Sequence, residues 1–336
     1  MPTAAAGDNP LPDVLDETIV EFADNRLLID LCGQFDRNLT QLEQGFGLSI
    51  LRRGNLLTMH GPEDGREQCR LALEAIYERL EDGRPVEPAD IDGLIRMGVL
   101  PDETVAPTEQ LDMFPSGKLE IRTRKKTISP RSPTQSAYVA ELFNKNMVFG
   151  IGPAGTGKTY LAVAAAVSMF MDGRVDKIIL SRPAVEAGER LGFLPGTEKD
   201  KMDPYMRPLY DALGDMLPGK QVAKLMEDGK IEIAPLAFMR GRTLSNAFVV
   251  LDEAQNTTEM QMKMFLTRMG EGSHMAITGD PSQIDLPRGT RSGMVQAVEI
   301  LGRIKEIGFI RFTATDVVRH PLVAAIVEAY DQKSSV

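Results

Sequence analysis

The stretch that decides the fold is MVFGIGPAGTGKT, which runs from Met147 to Thr159. Its first five residues are the apolar run of a buried strand, and Gly152 to Thr159 match the pattern GxxxxGK[ST]. Glycines allow a tight turn in which backbone N–H groups converge on an anion, and the positive end of the following helix adds to that field. The stretch therefore predicts a phosphate-binding loop between a strand and a helix.

The loop on its own predicts a bound nucleoside triphosphate together with Mg²⁺ and does not distinguish ATP from GTP. Lys158 is expected to reach the β and γ phosphates, and the Thr159 hydroxyl is expected to be a Mg²⁺ ligand. The predicted nucleotide contacts are Gly152, Pro153, Ala154, Gly155, Thr156, Gly157, Lys158 and Thr159.

A second apolar run, Phe248 to Leu251, ends in two acids, Asp252 and Glu253. Carboxylates at the tip of a buried strand are costly unless they meet a cation or hydrogen-bond donors. We expect Asp252 to hold Mg²⁺ through its water shell and Glu253 to polarise the attacking water. A base aimed at water favours hydrolysis over transfer to a small molecule, so a small-molecule kinase is the weaker reading.

Two glutamines complete the predicted site. Gln283 follows the apolar run Met275 to Thr278, and we expect it to sense the γ-phosphate, whereas Asp280 fits a turn. Gln135 lies upstream of the loop, and its amide has the donor and acceptor needed to pair with adenine. An ordinary surface glutamine is the alternative for Gln135.

The chain around these motifs alternates apolar runs with helical stretches such as Lys158 to Met171 and Met260 to Met269. This alternation predicts an α/β fold with a mostly parallel sheet covered on both faces, and ligands collect at the C-terminal ends of such strands. The predicted strands are Met147 to Ile151, Lys177 to Leu180, Ile231 to Ala234, Phe248 to Leu251, Met275 to Thr278 and Phe309 to Phe312.

The length of 336 residues favours two domains. We divide the chain into a disordered tail (1–14), a small α+β unit (15–83), a linker that ends in a basic strand over 119–128 (84–133) and the nucleotide-binding domain (134–336). The small unit has the order helix, strand, strand, helix, which suggests a KH-like domain. Its Gly33-Gln34-Phe35-Asp36 carries an acid where the second glycine of a KH GxxG loop would stand, so RNA binding and protein contact both stay open.

The charge is unevenly distributed. The net charge of −10 excludes a general coat for nucleic acid, because phosphate contacts need Lys and Arg. Eight acids and one base give −7 between residues 1 and 36, whereas residues 118–131 carry +5. We expect RNA to bind near the basic stretch, and a basic protein or ribosomal partner to find the acidic start.

Two cysteines and three histidines make a disulfide framework or a Cys/His metal centre improbable. The N-terminus has no signal-peptide pattern and no apolar stretch approaches 18 residues, so we expect a cytoplasmic protein without a membrane span.

Several long blocks resemble the PhoH family of P-loop ATPases, over essentially everything from about residue 134 onward. Two blocks are specific to this family, RPAVEAGERLGFLPG from Arg182 and DPYMRPLYDAL from Asp203, and the block AFVVLDEAQNTTEMQMKMFLTRMG from Ala247 matches as well. The resemblance implies a RecA-like P-loop fold related to superfamily 1 helicases. It also implies a cytoplasmic ATPase of RNA metabolism that works with a YbeY-type endoribonuclease and ribosome-associated proteins.

Superfamily 1 and 2 helicases bind ATP between two RecA-like domains, but the residues after 134 leave room for one. Our hypothesis is a homo-oligomer, with a hexameric ring favoured, in which the neighbouring subunit supplies an arginine finger. Arg319 is the first candidate and Arg182 the second, with a local ion pair as the alternative for each. The insertion 186–230 is expected either to line a pore or contact RNA, or to be a solvated face.

Two functions remain open on sequence grounds. The leading one is a Mg²⁺-dependent ATPase that couples hydrolysis to RNA binding or remodelling. The alternative is a nucleotide-dependent adaptor that docks a partner protein. Both use every residue of the predicted ATP site.

Overall fold

A computed structural model describes residues 17–97, 119–183 and 198–317. The chain divides into two compact units, residues 1–106 and 107–336, and each is described here by itself. Among the described residues, no helix combines the length and the apolar character needed to cross a bilayer.

The N-terminal unit packs helices on one face of an antiparallel sheet with strand order β1-β3-β2. Its core centres on Leu57 and Met59 of the middle strand, together with Leu28, Leu42 and Leu73 from the helices. The elements are β1 (Glu17–Glu21), α1 (Asn25–Cys32), α2 (Arg37–Phe46), β2 (Ser49–Arg53), β3 (Leu56–His60), α3 (Glu63–Glu81) and α4 (Pro88–Met97).

Helix α4 changes the interpretation of the segment after residue 83, which we had predicted to be a linker. This helix packs against α2 and α3, and a Cβ built at Gly45 of α2 would lie 2.6 Å from Ile95 of α4. A glycine at this point lets the two helices approach closely. The helix therefore belongs to the N-terminal unit, not to a connector.

The loop between α1 and α2 has unusual backbone geometry. Phe35 and Asp36 both have φ of 55°, a left-handed conformation that side chains with a Cβ rarely adopt. The Phe35 side chain is fully exposed, and Asp36 forms an ion pair with Arg52 at 3.6 Å. The loop thus places a carboxylate directly before the first residue of α2.

The C-terminal unit contains a six-stranded parallel sheet within the described residues, with strand order β11-β6-β10-β9-β7-β8. The six predicted strands are confirmed to within a few residues. The elements are β4 (Ile121–Arg122), β5 (Thr127–Ile128), α5 (Pro133–Asn144), β6 (Met147–Ile151), α6 (Lys158–Met171), β7 (Lys177–Arg182), α7 (Glu198–Met216), α8 (Gly219–Glu227), β8 (Ile231–Pro235), β9 (Ala247–Leu251), α9 (Glu259–Leu266), β10 (His274–Gly279), α10 (Gly293–Leu301) and β11 (Ile307–Arg311).

Both faces of this sheet are covered, because successive side chains of each strand point to opposite sides. Val148, Leu180 and Val250 pack with α5, α6 and α7 in one cluster. Phe149 and Leu251 pack with α9 and α10 in a second cluster. This arrangement confirms the predicted α/β class, and it leaves the C-terminal ends of the strands free to carry polar groups.

The basic segment 119–128 is not a single strand, as predicted, but the hairpin β4–β5. Lys125 donates to the carbonyl of Gly214, and Lys126 pairs with Asp215 at 2.8 Å while lying over the Tyr160 ring. These cations thus neutralise the C-terminal end of α7, where helix carbonyls lack partners. Two of the charges assigned to RNA binding therefore contact α7, although Arg122, Arg124, Lys125 and Lys126 are all exposed.

Candidate nucleotide-binding site

The phosphate-binding loop, residues 152–159, connects β6 to α6 as the sequence predicts. Gly152, Gly155 and Gly157 all have positive φ, at 146°, 83° and 80°. At Gly152 a Cβ would approach the Phe312 carbonyl oxygen to 2.4 Å, so the close contact with the chain after β11 requires glycine. Both the turn and its neighbour thus explain why the loop is rich in glycine.

Lys158 is buried inside this loop. Its Nζ donates to the carbonyls of Gly152 at 2.7 Å and Pro153 at 2.6 Å, and contacts the Thr156 hydroxyl at 3.2 Å. Burial lowers the pKa of the Lys158 amine, although the carboxylates of Asp280, Asp252 and Glu253 act in the opposite direction. The lysine therefore lies where phosphates would bind, held by the loop's own carbonyl oxygens.

The two predicted metal-binding residues are in direct contact. The Thr159 hydroxyl donates to Asp252 Oδ1 at 2.6 Å, and Thr278 donates to the same oxygen at 3.0 Å. A hydroxyl and a carboxylate are hard oxygen donors that suit Mg²⁺, which usually keeps several waters and uses few protein ligands. The described residues contain no group of three or more Asp, Glu, His or Cys side chains able to hold a metal ion, so Thr159 and Asp252 are the candidate protein ligands. The donor set therefore fits Mg²⁺ bound together with phosphate oxygens.

Glu253 follows β9 in a strained conformation, with φ of 51° and ψ of 38°. Its Oε1 lies 3.3 Å from the guanidinium of Arg182, and its Oε2 accepts from the Gln255 amide at 2.5 Å. Strained residues persist when their surroundings fix them, and they concentrate at functional sites. Here Arg182 and Gln255 fix the carboxylate at the edge of the cavity.

Gln255 is a site residue that the sequence analysis missed. It is fully buried, and its amide also donates to the Gln283 carbonyl while its oxygen accepts from the Asp280 N–H. Gln255 therefore joins the ends of β9 and β10. Its position two residues after Glu253 was the only signal in the sequence, and its partners come from a distant segment.

Gln283 lines the cavity, where we predicted a γ-phosphate sensor. Its side-chain amide donates to Asp280 Oδ2 at 2.9 Å, and the other Asp280 oxygen accepts from Ser282. Asp280 thus organises the turn after β10, and the sensor role of Gln283 stays a prediction.

Gln135 is not a surface residue, and both the oxygen and the nitrogen of its side-chain amide already have hydrogen-bond partners. It is 3% exposed, its oxygen accepts from the Arg131 N–H at 2.6 Å, and its nitrogen donates to the Thr156 carbonyl at 3.0 Å. The amide is therefore engaged with the phosphate-binding loop itself. The structure does not support the predicted adenine contact in this conformation.

The two candidate arginine fingers have different outcomes. Arg182 lines the cavity of its own chain, pairs with Glu253 and donates to the Tyr205 carbonyl at 3.1 Å. The pair with Glu253 is the local ion pair that was the predicted alternative for Arg182, and the finger role in trans stays a prediction. Arg319 lies outside the described residues.

These residues surround a cavity of about 570 Å³. One wall is the phosphate-binding loop, and a second is formed by the ends of β7, β9 and β10. The third wall comes from α7, through Pro208, Asp211, Ala212 and Asp215. The described part of the 186–230 insertion thus covers the site, a role that neither of the predicted alternatives included.

Comparison with known proteins gives one consistent family. Residues 127–331 match the family model described as PhoH-like protein. A PhoH-like protein of Bacillus subtilis (strain 168) is 49% identical over 309 residues, which are 91% of this chain and 94% of that protein. A PhoH-like protein of Mycobacterium tuberculosis (strain H37Rv) is 48% identical over 90% of this chain and 85% of that protein. Protein PhoH of Escherichia coli (strain K12) is 45% identical over 60% of this chain and 58% of that protein.

Two solved structures are more distant. The SWI2/SNF2 ATPase core of Sulfolobus solfataricus in complex with dsDNA has a TM-score of 0.35, with 14% identity over 65% of this chain and 55% of that chain. The Hef helicase domain of Pyrococcus furiosus has a TM-score of 0.31, with 16% identity over 53% of this chain and 38% of that chain.

Proposed function

This chain belongs to the family of PhoH-like proteins, and we propose that it is a Mg²⁺-dependent ATPase. The observation that carries the proposal is the convergence of Lys158, Asp252 and Glu253 on one cavity beside a glycine-rich loop. Such a site offers cations and N–H groups to a triphosphate, an oxygen pair to Mg²⁺ and a carboxylate to water.

Nucleotide binding begins with an exchange of partners at Lys158. Its ammonium is already oriented by the carbonyls of Gly152 and Pro153, and phosphate oxygens replace them. Thr159 and Asp252 would hold Mg²⁺, which when bound neutralises charge on the β and γ phosphates. The ammonium gains from this exchange because phosphate oxygens carry the negative charge that carbonyl oxygens lack, so both partners of each new hydrogen bond are charged.

Hydrolysis requires Glu253 to accept a proton from water. As the water oxygen bonds to the γ-phosphorus, the bond from that phosphorus to the bridging oxygen breaks and ADP leaves with the electron pair. The water proton passes to Glu253. To act in this way the carboxylate must leave Arg182, and the γ-phosphate is the anion that competes for that guanidinium. Arg182 would then stabilise the transferring phosphoryl group in cis.

We extend the proposal to RNA. Hydrolysis would be coupled to RNA binding or remodelling in RNA or ribosome metabolism, with a YbeY-type endoribonuclease as partner and a hexameric ring as the assembly. Family membership and the exposed Arg122 and Arg124 support this extension. The engagement of Lys125 and Lys126 with α7 favours the second candidate, a nucleotide-dependent adaptor for a partner protein, because fewer cations are left for phosphate contacts.

The decisive measurement is ATP hydrolysis by the full chain with Mg²⁺, alone and with single-stranded or duplex RNA. Glu253→Gln is the control, because it keeps the size of the side chain and removes the base. We expect this variant to lose about 100- to 10,000-fold in kcat, the usual contribution of a general base. Hydrolysis by Glu253→Gln at the wild-type rate would refute the catalytic assignment. RNA stimulation of the wild type supports the coupled ATPase, whereas its absence together with ATP-dependent binding of a partner supports the adaptor.

A further inference from the structure

A chain of buried hydrogen bonds leads from the phosphate-binding loop to the turn after β11. Gln135 donates to the Thr156 carbonyl, and Ser132, the N-cap of α5, accepts from the Gln135 backbone N–H. Ser132 in turn donates to Asp316 Oδ1 at 2.7 Å. We propose that Gln135, Ser132 and Asp316 are positioning residues that orient the loop for phosphate. The proposal rests on the proposed function, since it concerns the same nucleotide site.

The peptide between Thr156 and Gly157 links Gln135 to the cavity. The Thr156 carbonyl and the Gly157 N–H belong to the same planar trans unit, so they point in opposite directions. Because Gln135 holds the carbonyl from outside the loop, the Gly157 N–H points away from Gln135. Gly157 also lines the cavity. Gln135 thereby orients an anion-binding N–H without touching the nucleotide.

Gln135 also fits tightly against the phosphate-binding loop. A Cβ built at Gly157 would lie 3.3 Å from Gln135 Nε2, which is closer than ordinary packing. Gln135 and Ser132 are each 3% exposed, and Thr156 is fully buried. A buried amide that lost its carbonyl partner would leave both groups unsatisfied, so the loop has a strong reason to keep this conformation.

Asp316 lies at the far end of this chain of hydrogen bonds. The second carboxylate oxygen of Asp316 accepts from the Thr313 N–H at 2.8 Å and closes the turn after β11. Burial would raise the pKa of Asp316, but hydrogen bonds from Thr313, Ser132 and Thr134 outweigh it and lower the pKa. A carboxylate that stays ionised is a strong acceptor for Ser132. The start of α5 is thus anchored on the segment that follows the last strand.

This arrangement predicts that Gln135 acts on phosphate and not on the base. The test compares two ligands by isothermal titration calorimetry with Mg²⁺ present: ADP, and inorganic pyrophosphate, which lacks a base. In Gln135→Leu we expect the Kd of both ligands to rise by the same factor, about tenfold for loss of the buried hydrogen bond to the Thr156 carbonyl. Ser132→Ala should raise both values by about threefold, and Ser132→Thr should restore them because it keeps the hydroxyl.

Ser292→Ala is the matched control. Ser292 is 4% exposed and is the N-cap of α10, so its loss removes the same kind of cap from a helix unconnected to Gln135. We expect this variant to bind both ligands as the wild type does. Should Gln135→Leu fail to fold, as judged by thermal unfolding, the comparison of Ser132→Ala with Ser292→Ala carries the test.

Three results would overturn the proposal. Weaker binding of ADP alone, with pyrophosphate unaffected, would assign Gln135 to the adenine base. Unchanged binding of both ligands in Gln135→Leu, or an equal loss in Ser292→Ala, would leave the network a purely structural role. Failure of the wild type to bind either ligand would refute the proposed function itself, which the variants alone cannot do.

Discussion

Each unit of this molecule has a loop that starts with glycine and leads into a helix, and the two loops differ in charge. Residues 33–36 end in Asp36, which stands directly before α2 and pairs with Arg52. Residues 152–159 end in Lys158 and Thr159, and the first turn of α6 has no acid. A helix N-terminus attracts anions, but at α2 the residue directly before the helix is itself a carboxylate, which repels other anions. A glycine-led loop therefore becomes a phosphate site only where the nearest charge is positive.

The backbone of the two loops differs in the same sense. In residues 152–159 the positive φ values fall on glycines, whereas in residues 33–36 Phe35 and Asp36 also take them. Glycine leaves room for an anion to approach the backbone, and side chains at those positions remove it. The N-terminal loop presents an exposed aromatic ring and a paired carboxylate in place of N–H groups.

One substitution in each loop should change ATP affinity and kcat/KM by very different amounts. In Lys158→Ala we expect ATP affinity and kcat/KM to fall by at least about 100-fold, because charge-assisted contacts to two phosphates are lost. Asp36→Ala should leave both within about twofold, because it changes one exposed side chain of the other unit. Steady-state kinetics and calorimetry measure both variants. Comparable losses in the two would show that the N-terminal loop also serves the nucleotide.

A substitution in the N-terminal core tests whether the nucleotide site depends on that core. Leu73 is fully buried in the cluster of the N-terminal unit, and that cluster shares no residue with the two clusters around the parallel sheet. Leu73→Ala should destabilise the N-terminal unit by about 2–5 kcal/mol. Denaturant unfolding would measure this loss, and ATP hydrolysis at low denaturant should stay within about twofold of the wild type. A parallel fall in hydrolysis would mean that the nucleotide site depends on the N-terminal core.

The smallest expected effect concerns two arginine–carboxylate pairs. Arg182 pairs with Glu253 beside the cavity, and Arg52 pairs with Asp36 beside the N-terminal loop. Arg182→Ala should lower kcat by about tenfold, the cost of one charge-assisted contact in the transition state. Arg52→Ala should not change kcat. If Arg182→Ala raised turnover instead, Arg182 would be a restraint on Glu253 and not a stabilising group.

The parallel sheet could be predicted because its strands are short apolar runs bounded by polar residues. Such runs can be recognised without knowing how the side chains pack. Helix α1 was missed because it is eight residues long and buries only Leu28, Leu31 and Cys32. The hairpin β4–β5 was taken for one strand because charged residues fill its turn, and Lys125 and Lys126 find their partners on α7, far along the chain.

The site shows the same limit on prediction. Lys158, Asp252 and Glu253 could be assigned from the sequence, because their motifs are local and their chemistry is narrow. Gln135 and Gln255 could not, since an amide accepts or donates to whichever group the fold brings to it. Gln135 was given the correct neighbourhood and an adenine partner in place of the Thr156 carbonyl. The spacing of residues along the chain does not reveal contacts between distant segments.

The order of strands in the parallel sheet has a consequence for the synthesis of this protein. Strand β6, which leads into the phosphate-binding loop, lies between β10 and β11, the last two strands in the described part of the chain. At about 5–20 residues per second, a ribosome needs roughly 8–30 s to reach β11 after it has made the loop. Both edges of β6 lack their neighbours until β10 is made, and one edge lacks its neighbour until β11 is made. Pairing between distant segments is slow even in the finished chain. An unpaired strand edge favours aggregation, so we expect nascent chains that have not yet made β11 to aggregate more readily than the finished protein.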